Sequence, residues 1–228
     1  MLRLEGRARR GAFALRAAVS VDEGARVAVM GPSGSGKSTL LEVVAGFVPF
    51  DGRVAWRGRP LDGPPGKRPV AVLFQDGNLF PHLTLERNLA LGIRPSGRLS
   101  RAEREAVGAA LGRVGLGGFG SRRPAALSGG QRGRAALARV LLMRRDLLLL
   151  DEPFAALGPA LRAEMTGLVR EVAAEIGATV LMVTHDPADA RRVADRTALI
   201  AGGRLHPPAE TAALFADPPP ALRAYLGT

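Results

Sequence analysis

Cysteine is absent from this chain. No disulfide can brace the fold, and no thiolate can hold zinc or an iron–sulfur cluster. That composition fits a reducing compartment. Aromatic residues make up only 4% of the sequence, which removes the basic–aromatic platform on which single-stranded nucleic acid stacks. Long apolar runs are missing too. The all-leucine stretch Leu147–Leu150 is short, and nothing approaches the roughly 20 residues a membrane-spanning helix needs. Near the N-terminus Glu5, Arg7, Arg9, Arg10 and Arg16 break up any apolar segment, and Asp22 and Glu23 follow. No signal peptide is therefore expected.

Lysine is scarce as well, with Lys37 and Lys67 the only two in the chain, yet the formal charge is +11. The excess is carried by arginine. Such an excess can serve nucleic acid or an anionic membrane surface. Here the arginines are scattered, with no long block of like charge, and read mainly as solvated faces. A membrane-proximal position would add to the value of that excess, and no nucleic-acid partner is expected. At 228 residues and 46% hydrophobic content the chain can bury a full core.

The strongest positive signal is the stretch Gly31, Pro32, Ser33, Gly34, Ser35, Gly36, Lys37, Ser38, Thr39. It fits G-x-x-x-x-G-K-[ST]. The glycines let the backbone curl so that successive N–H groups point inward at phosphate oxygens. Lys37 adds a point charge for the outer phosphates. The Ser38 hydroxyl is a hard oxygen donor suited to Mg²⁺. Arg26–Met30 reads as a strand and Lys37–Ala45 as a helix. Phosphates would thus meet a helix N-terminus, where free N–H groups and the helix dipole favour anions. A chance glycine-rich turn would lack this strand–loop–helix order.

Strand and helix character alternate, as in an α/β domain with a mostly parallel sheet. Predicted strands are Arg26–Met30, Arg53–Arg57, Val70–Phe74, Leu147–Leu150, Thr179–Thr184 and Thr197–Ala201. The runs VAVLF, LLLL and TVLMVT suit strands covered on both faces. Between Gln75 and Met143 the character turns helical, over Leu85–Leu91, Arg101–Val114 and Gly130–Met143. This block reads as a helical insertion. Asp217–Pro220 breaks the chain before a short terminal helix.

Two further motifs carry chemistry. In Leu147–Pro153 (LLLLDEP) an apolar strand ends in two carboxylates. The strand delivers Asp151 to the carboxyl edge of the sheet, where it can hold Mg²⁺ directly or through water. Glu152 is then placed to polarise an attacking water. An acidic helix cap would explain the pair if it stood alone. Leu127–Gln131 (LSGGQ) opens the next helix. Ser128 can cap it, and Gly129 and Gly130 allow close approach of an anion, with Gln131 following. An ordinary Ser-Gly cap is the bland alternative.

With LSGGQ shortly before LLLLDEP, the chain resembles the nucleotide-binding subunits of ABC transporters over nearly its whole length. The resemblance implies an α/β phosphate-loop NTPase core of the RecA-like kind, with an N-terminal β subdomain and an inserted helical subdomain. A single domain of 1–228 would result, with its core at about 1–76 and 137–228 and the helical subdomain at about 77–136. It implies ATP and Mg²⁺, the metal held by Ser38, Gln75 and Asp151. Glu152, His185 and Gln75 would be the catalytic residues. Gln75 matches the glutamine that senses Mg²⁺ and the attacking water, and His185, in VTHD, matches the histidine that contacts the γ-phosphate. His82 and His206 match no such role. Two subunits would pack head to tail, so that Ser128, Gly129, Gly130 and Gln131 complete the partner's ATP site in trans.

KRPVAVLFQDGNLFPHLT (67–84), FQDGNLFPHLTLERNLALG (74–92) and DEPFAALGPALRAEM (151–165) are similar to the ATP-binding subunits of bacterial thiamine importers. This closer likeness implies a homodimer peripheral to the cytoplasmic face of the inner membrane. Its partners would be two permease subunits or one fused permease, fed indirectly by a periplasmic binding protein. An importer ATPase for iron, an oxyanion or a polyamine is the nearest alternative, although those relatives usually append a further β-rich domain. A soluble ABC ATPase acting on nucleic acid is more distant. The chain departs from the family twice. Gly158 stands where the family has aspartate after Ala155-Ala156-Leu157. Residues 8–13 (ARRGAF) lack the usual adenine-stacking tyrosine, leaving Phe13 or an arginine for that task.

Overall fold

Five parallel strands carry the site to one sheet edge, and their composition explains why they can be buried on both sides. The structure, a computed structural model, describes residues 1–11, 13–75, 77–96 and 98–227. Strands β3 (Arg26–Met30), β6 (Val70–Leu73), β7 (Leu147–Asp151), β8 (Thr179–Val183) and β9 (Arg196–Ala201) lie in the order β9-β3-β8-β7-β6, all parallel. Alternate residues enter different cores. Ala28, Met30, Leu148, Leu150, Val180 and Met182 face one, while Val27, Val29, Leu147, Leu149, Leu181 and Val183 face the other. A parallel sheet covered on both faces needs such continuous apolar runs.

The second core is closed by an antiparallel layer. Strand β1 (Leu2–Arg10) pairs with both β2 (Phe13–Val21) and β4 (Asp51–Trp56), and β4 with the short β5 (Arg59–Pro60). Leu2, Leu4 and Ala8 point inward from β1, as do Leu15, Ala17, Val19 and Val21 from β2, against helix α1 (Lys37–Ala45). Between them lie the outward arginines. Strand β10 (Arg204–Leu205) joins β2 to β9, so the two layers form one continuous sheet, with β11 (Ala209–Glu210) added on β9. Residues 2–10 and 13–21 lie outside the strands expected from sequence, although an N-terminal β subdomain was implied.

Between β6 and β7 the described residues hold no strand. They form helices α2 (Leu85–Ile93), α3 (Arg101–Arg113) and α4 (Gly129–Leu142). The predicted elements thus recur with ends shifted by a residue or two; Phe74, Arg57 and Thr184 fall outside their strands. Helix α5 (Pro159–Ile176), α6 (Pro187–Val193), α7 (Thr211–Ala216) and α8 (Pro220–Leu226) complete the chain.

One buried polar residue shapes the helical block. Asn88 is fully buried. Its Oδ1 accepts from the Phe80 N–H at 2.7 Å, and its Nδ2 donates to the carbonyls of Phe80, Leu83 and Thr84 at 3.1, 3.2 and 3.0 Å. A buried amide satisfied in this way fixes the loop 80–84 as a rigid element. The loop presents the Phe80 ring to solvent, with the Arg139 guanidinium 5.8 Å from the ring centre.

Candidate nucleotide-binding site

Strand β3 ends at Met30, and the chain turns at Gly31 with φ 150°. A Cβ there would lie 2.4 Å from the Ile200 carbonyl oxygen, so only glycine fits. The loop closes at Gly36, also left-handed at φ 100°, and α1 begins at Lys37. Lys37 Nζ donates to the Gly31 and Pro32 carbonyls at 2.8 and 2.9 Å, which holds the ammonium over the loop. Burial pushes its pKa down, while the carboxylates of Glu152 and Asp151 push it back up. The Ser35 hydroxyl is buried, with no partner among the described residues. A buried orphan hydroxyl in a glycine loop is satisfied by an oxygen-rich ligand, which fits phosphate.

Asp151 is the last residue of β7 and is buried. Burial is the largest influence on its carboxyl and raises the pKa, opposed by a hydrogen bond from the Ser38 hydroxyl. Ser38, Asp151 and the exposed Gln75 offer hydroxyl, carboxylate and amide oxygens, the hard donors that Mg²⁺ prefers. Among the described residues no cluster of three His, Cys, Asp or Glu could hold a metal by itself. A one-carboxylate site completed by phosphate oxygens is therefore the arrangement these side chains suit.

Glu152 has φ 47°, unusual for a residue with a Cβ. Its N–H donates to the Val183 carbonyl at 3.0 Å, which fixes the strained turn. The turn directs the carboxylate to His185, with Oε2 and Nδ1 2.7 Å apart. His185 follows β8, and its ring is 57% exposed while the Glu152 side chain is 18% exposed. Arg162 of α5 ties the two segments together. It pairs with Asp186 and donates to the Phe154 carbonyl at 3.3 Å.

A cleft of about 410 Å³ brings together Ser33, Gly34, Gly36, Lys37, Ser38 and Thr39 of the loop with Gln75, Asp151 and Glu152. Arg10 and Phe13 form its outer wall, so both candidates for contact with a base line it. The Phe13 ring occupies the space beside Gly36 where a Cβ would come within 2.5 Å.

Ser128, Gly129, Gly130 and Gln131 lie elsewhere, and none of them lines this cleft. They open α4 in a capping box. Ser128 Oγ accepts from the Gln131 N–H at 3.2 Å, and Gln131 Oε1 accepts from the Ser128 N–H at 2.9 Å. Gly130 rests on the turn before α5, where a Cβ would stand 3.1 Å from the Ala156 carbonyl. Gly158 is the N-cap of α5, contributes no side-chain cap, and has open space around it. Sequence reasoning missed Arg162 and Tyr225, whose hydroxyl donates to the His185 carbonyl at 3.1 Å. No local motif marks either residue.

The raised Asp151 pKa has a signed consequence. A carboxyl that binds its proton more tightly when folded loses stability as pH climbs from its unfolded pKa, near 3.9, through the higher folded one. Asp151→Asn is expected to raise the melting temperature of the protein at neutral pH in chelator without nucleotide. The gap from wild type should close below the unfolded pKa. Thermal scans across pH measure this, and a variant less stable than wild type at neutral pH would refute the burial argument.

A strand, a glycine loop on a helix N-terminus and an acidic strand end define a phosphate-loop nucleotide-binding protein. The ABC transporter family model matches residues 16–155, and the chain belongs to that family. It is 65% identical over 222 residues, 96% of each chain, to the thiamine import ATP-binding protein ThiQ of Cereibacter sphaeroides. It is 62% identical to the protein of that name from Ruegeria sp. strain TM1040, over the full length of both. Among solved structures it is similar to the dimeric post-hydrolysis state of the ATP-binding cassette MJ0796 bound to ADP and Pi. The TM-score is 0.82 at 28% identity, covering 92% of this chain and 99% of that one. A second dimeric structure of this bacterial ABC transporter cassette gives a TM-score of 0.83 at the same identity and coverage.

Proposed function

We propose that this chain hydrolyses ATP as the motor subunit of an importer, and that the imported solute is thiamine. The observation that carries the hydrolytic part is the 2.7 Å Glu152–His185 pair, set beside the phosphate-loop cleft. The loop N–H groups and Lys37 bind and orient the phosphates. Ser38, Gln75 and Asp151 hold Mg²⁺, which when bound with ATP neutralises charge on the outer phosphates. Glu152 takes the proton of the attacking water, and His185 orients the carboxylate and the terminal phosphate. Ser128, Gly129, Gly130 and Gln131, off the cleft of their own chain, cap the nucleotide of a head-to-tail partner. Residues about 77–136 form the helical subdomain and the rest the nucleotide-binding core.

Among the described residues no helix is long and apolar enough to cross a membrane, so transport needs partner chains. We assign these as two permease subunits or one fused permease, at the cytoplasmic face of the bacterial inner membrane, supplied by a periplasmic binding protein. Phe47 and Phe80 are 53% and 45% exposed, and Phe47 meets Phe74 edge-on at 5.5 Å, one residue before Gln75. The exposed Phe47, paired with Phe74 beside Gln75, and the exposed Phe80 five residues further along suit a permease contact. The choice of thiamine rests on the relatives named above, because solute never touches this chain. The test is ATP turnover by the importer reconstituted with its binding protein. Thiamine or its phosphates are expected to stimulate it severalfold. Stimulation by iron, an oxyanion or a polyamine instead would remove the thiamine assignment and leave the motor.

A further inference from the structure

The C-terminal helix reaches the hydrolytic pair by a single hydroxyl. Helix α8 is anchored by Leu222, which is fully buried, while Tyr225 and Leu226 pack on the same core. From there Tyr225 Oη donates to the main-chain carbonyl of His185 at 3.1 Å. Among the described residues this is the only hydrogen bond recorded at that carbonyl. The rest of the turn is held by other groups. The Thr184 N–H donates to the Val29 carbonyl at 3.2 Å, and Thr184 Oγ1 accepts from the Asp186 N–H at 3.1 Å. Arg162 fixes the Asp186 carboxylate. His185 itself lies between these anchors, with a largely exposed ring whose only polar contact among the described residues is Glu152. Packing cannot orient such a ring, so its aim depends on its own backbone.

We propose that Tyr225 is a positioning residue for ATP hydrolysis, acting by fixing the His185 backbone so that the ring meets Glu152. The inference rests on the reading of His185 and Glu152 as hydrolytic residues. Burial, then the nearby Glu152 and Asp186 carboxylates, pushes the phenol's pKa up, so the hydroxyl remains a donor throughout the working pH range. The helix thereby becomes part of the reaction centre without touching nucleotide. Any change that lifts α8 slows hydrolysis while ATP binding persists.

Tyr225→Phe removes the hydroxyl and keeps the ring. One hydrogen bond of ordinary strength corresponds to a roughly three- to tenfold change in rate. In the reconstituted importer the variant is expected to lower kcat by that factor, with KM for ATP within about twofold and little change in melting temperature. His185→Ala, measured in parallel, tests the underlying reading, and wild-type turnover in that variant would overturn the role of His185 itself. If His185→Ala is impaired while Tyr225→Phe keeps wild-type kcat, the positioning role alone is overturned. A raised KM at unchanged kcat refutes it too. Because Tyr225 acts through His185, adding Tyr225→Phe to the His185→Ala background should cost less than about twofold. A full further loss there would show that the hydroxyl acts by another route.

Discussion

Glu152→Gln is expected to bind ATP with near wild-type affinity and to lose at least about 10²-fold of its turnover. The amide has the shape of the carboxylate and can keep a hydrogen bond to His185, but it cannot accept the proton of water. Backbone strain is matched as well, since glutamine meets the same penalty at φ 47° that glutamate does. The loop N–H groups, Lys37, Ser38 and Asp151 are untouched, so binding persists. The nucleotide should therefore be retained in a closed dimer. Single-turnover hydrolysis and retention of labelled ATP through gel filtration measure the two halves of this expectation. Wild-type turnover in the variant would remove Glu152 as the base, and weak ATP binding would mean that its charge helps to bind rather than to react.

The same pair shows why some of the site is legible from residues and some is not. The phosphate loop, LLLLDEP and LSGGQ are legible because their chemistry depends on spacing over fewer than about ten residues. Glycine at 31 is required by the Ile200 carbonyl, and any sequence that places a strand, loop and helix there must obey it. His185, by itself a bland histidine after an apolar strand, is legible only through the family resemblance. The anchors around it are not legible. Tyr225 lies 40 residues further along, and Arg162 reaches Asp186 across 24. Contacts of that span follow from how helices land on the sheet, and no local pattern records them. Strands β1 and β2 escaped for another reason. Their inward residues alternate correctly, but Ala8 and Ala17 are small and β1's outward positions carry Arg3, Arg7 and Arg9, so the pattern resembles a basic surface segment. Gly158 is the reverse case. Its departure from the family is plain in the sequence, yet the space around it is open, and nothing in the fold demands glycine there.

Mixing two inactive variants is expected to restore hydrolysis if, as proposed for the head-to-tail dimer, each site draws on two chains. Lys37→Ala removes the ammonium that now lies on the loop carbonyls. Ser128→Arg places a bulky cation at the start of α4 and also removes a helix cap, at a cost of about 1 kcal/mol. In the wild-type capping box Ser128 Oγ accepts from the Gln131 N–H, which leaves its own O–H free to donate to a phosphate oxygen of the partner's nucleotide. Each variant alone should be nearly silent. In the proposed heterodimer the Lys37 loop of one subunit would face the Ser128 turn of the other, and one of the two sites would be whole. Random pairing of equal amounts makes half the dimers mixed, so independent sites would give about a quarter of wild-type turnover. Silent mixtures with proven heterodimers would mean that both sites must fire together, or that the subunits do not pack head to tail. A cysteine crosslink from position 128 to the partner's phosphate loop separates these, and the chain's lack of native cysteine makes that experiment clean. Formation of the crosslink in a silent mixture assigns the failure to coupling between sites. No crosslink in ATP-loaded Glu152→Gln would refute the shared site itself.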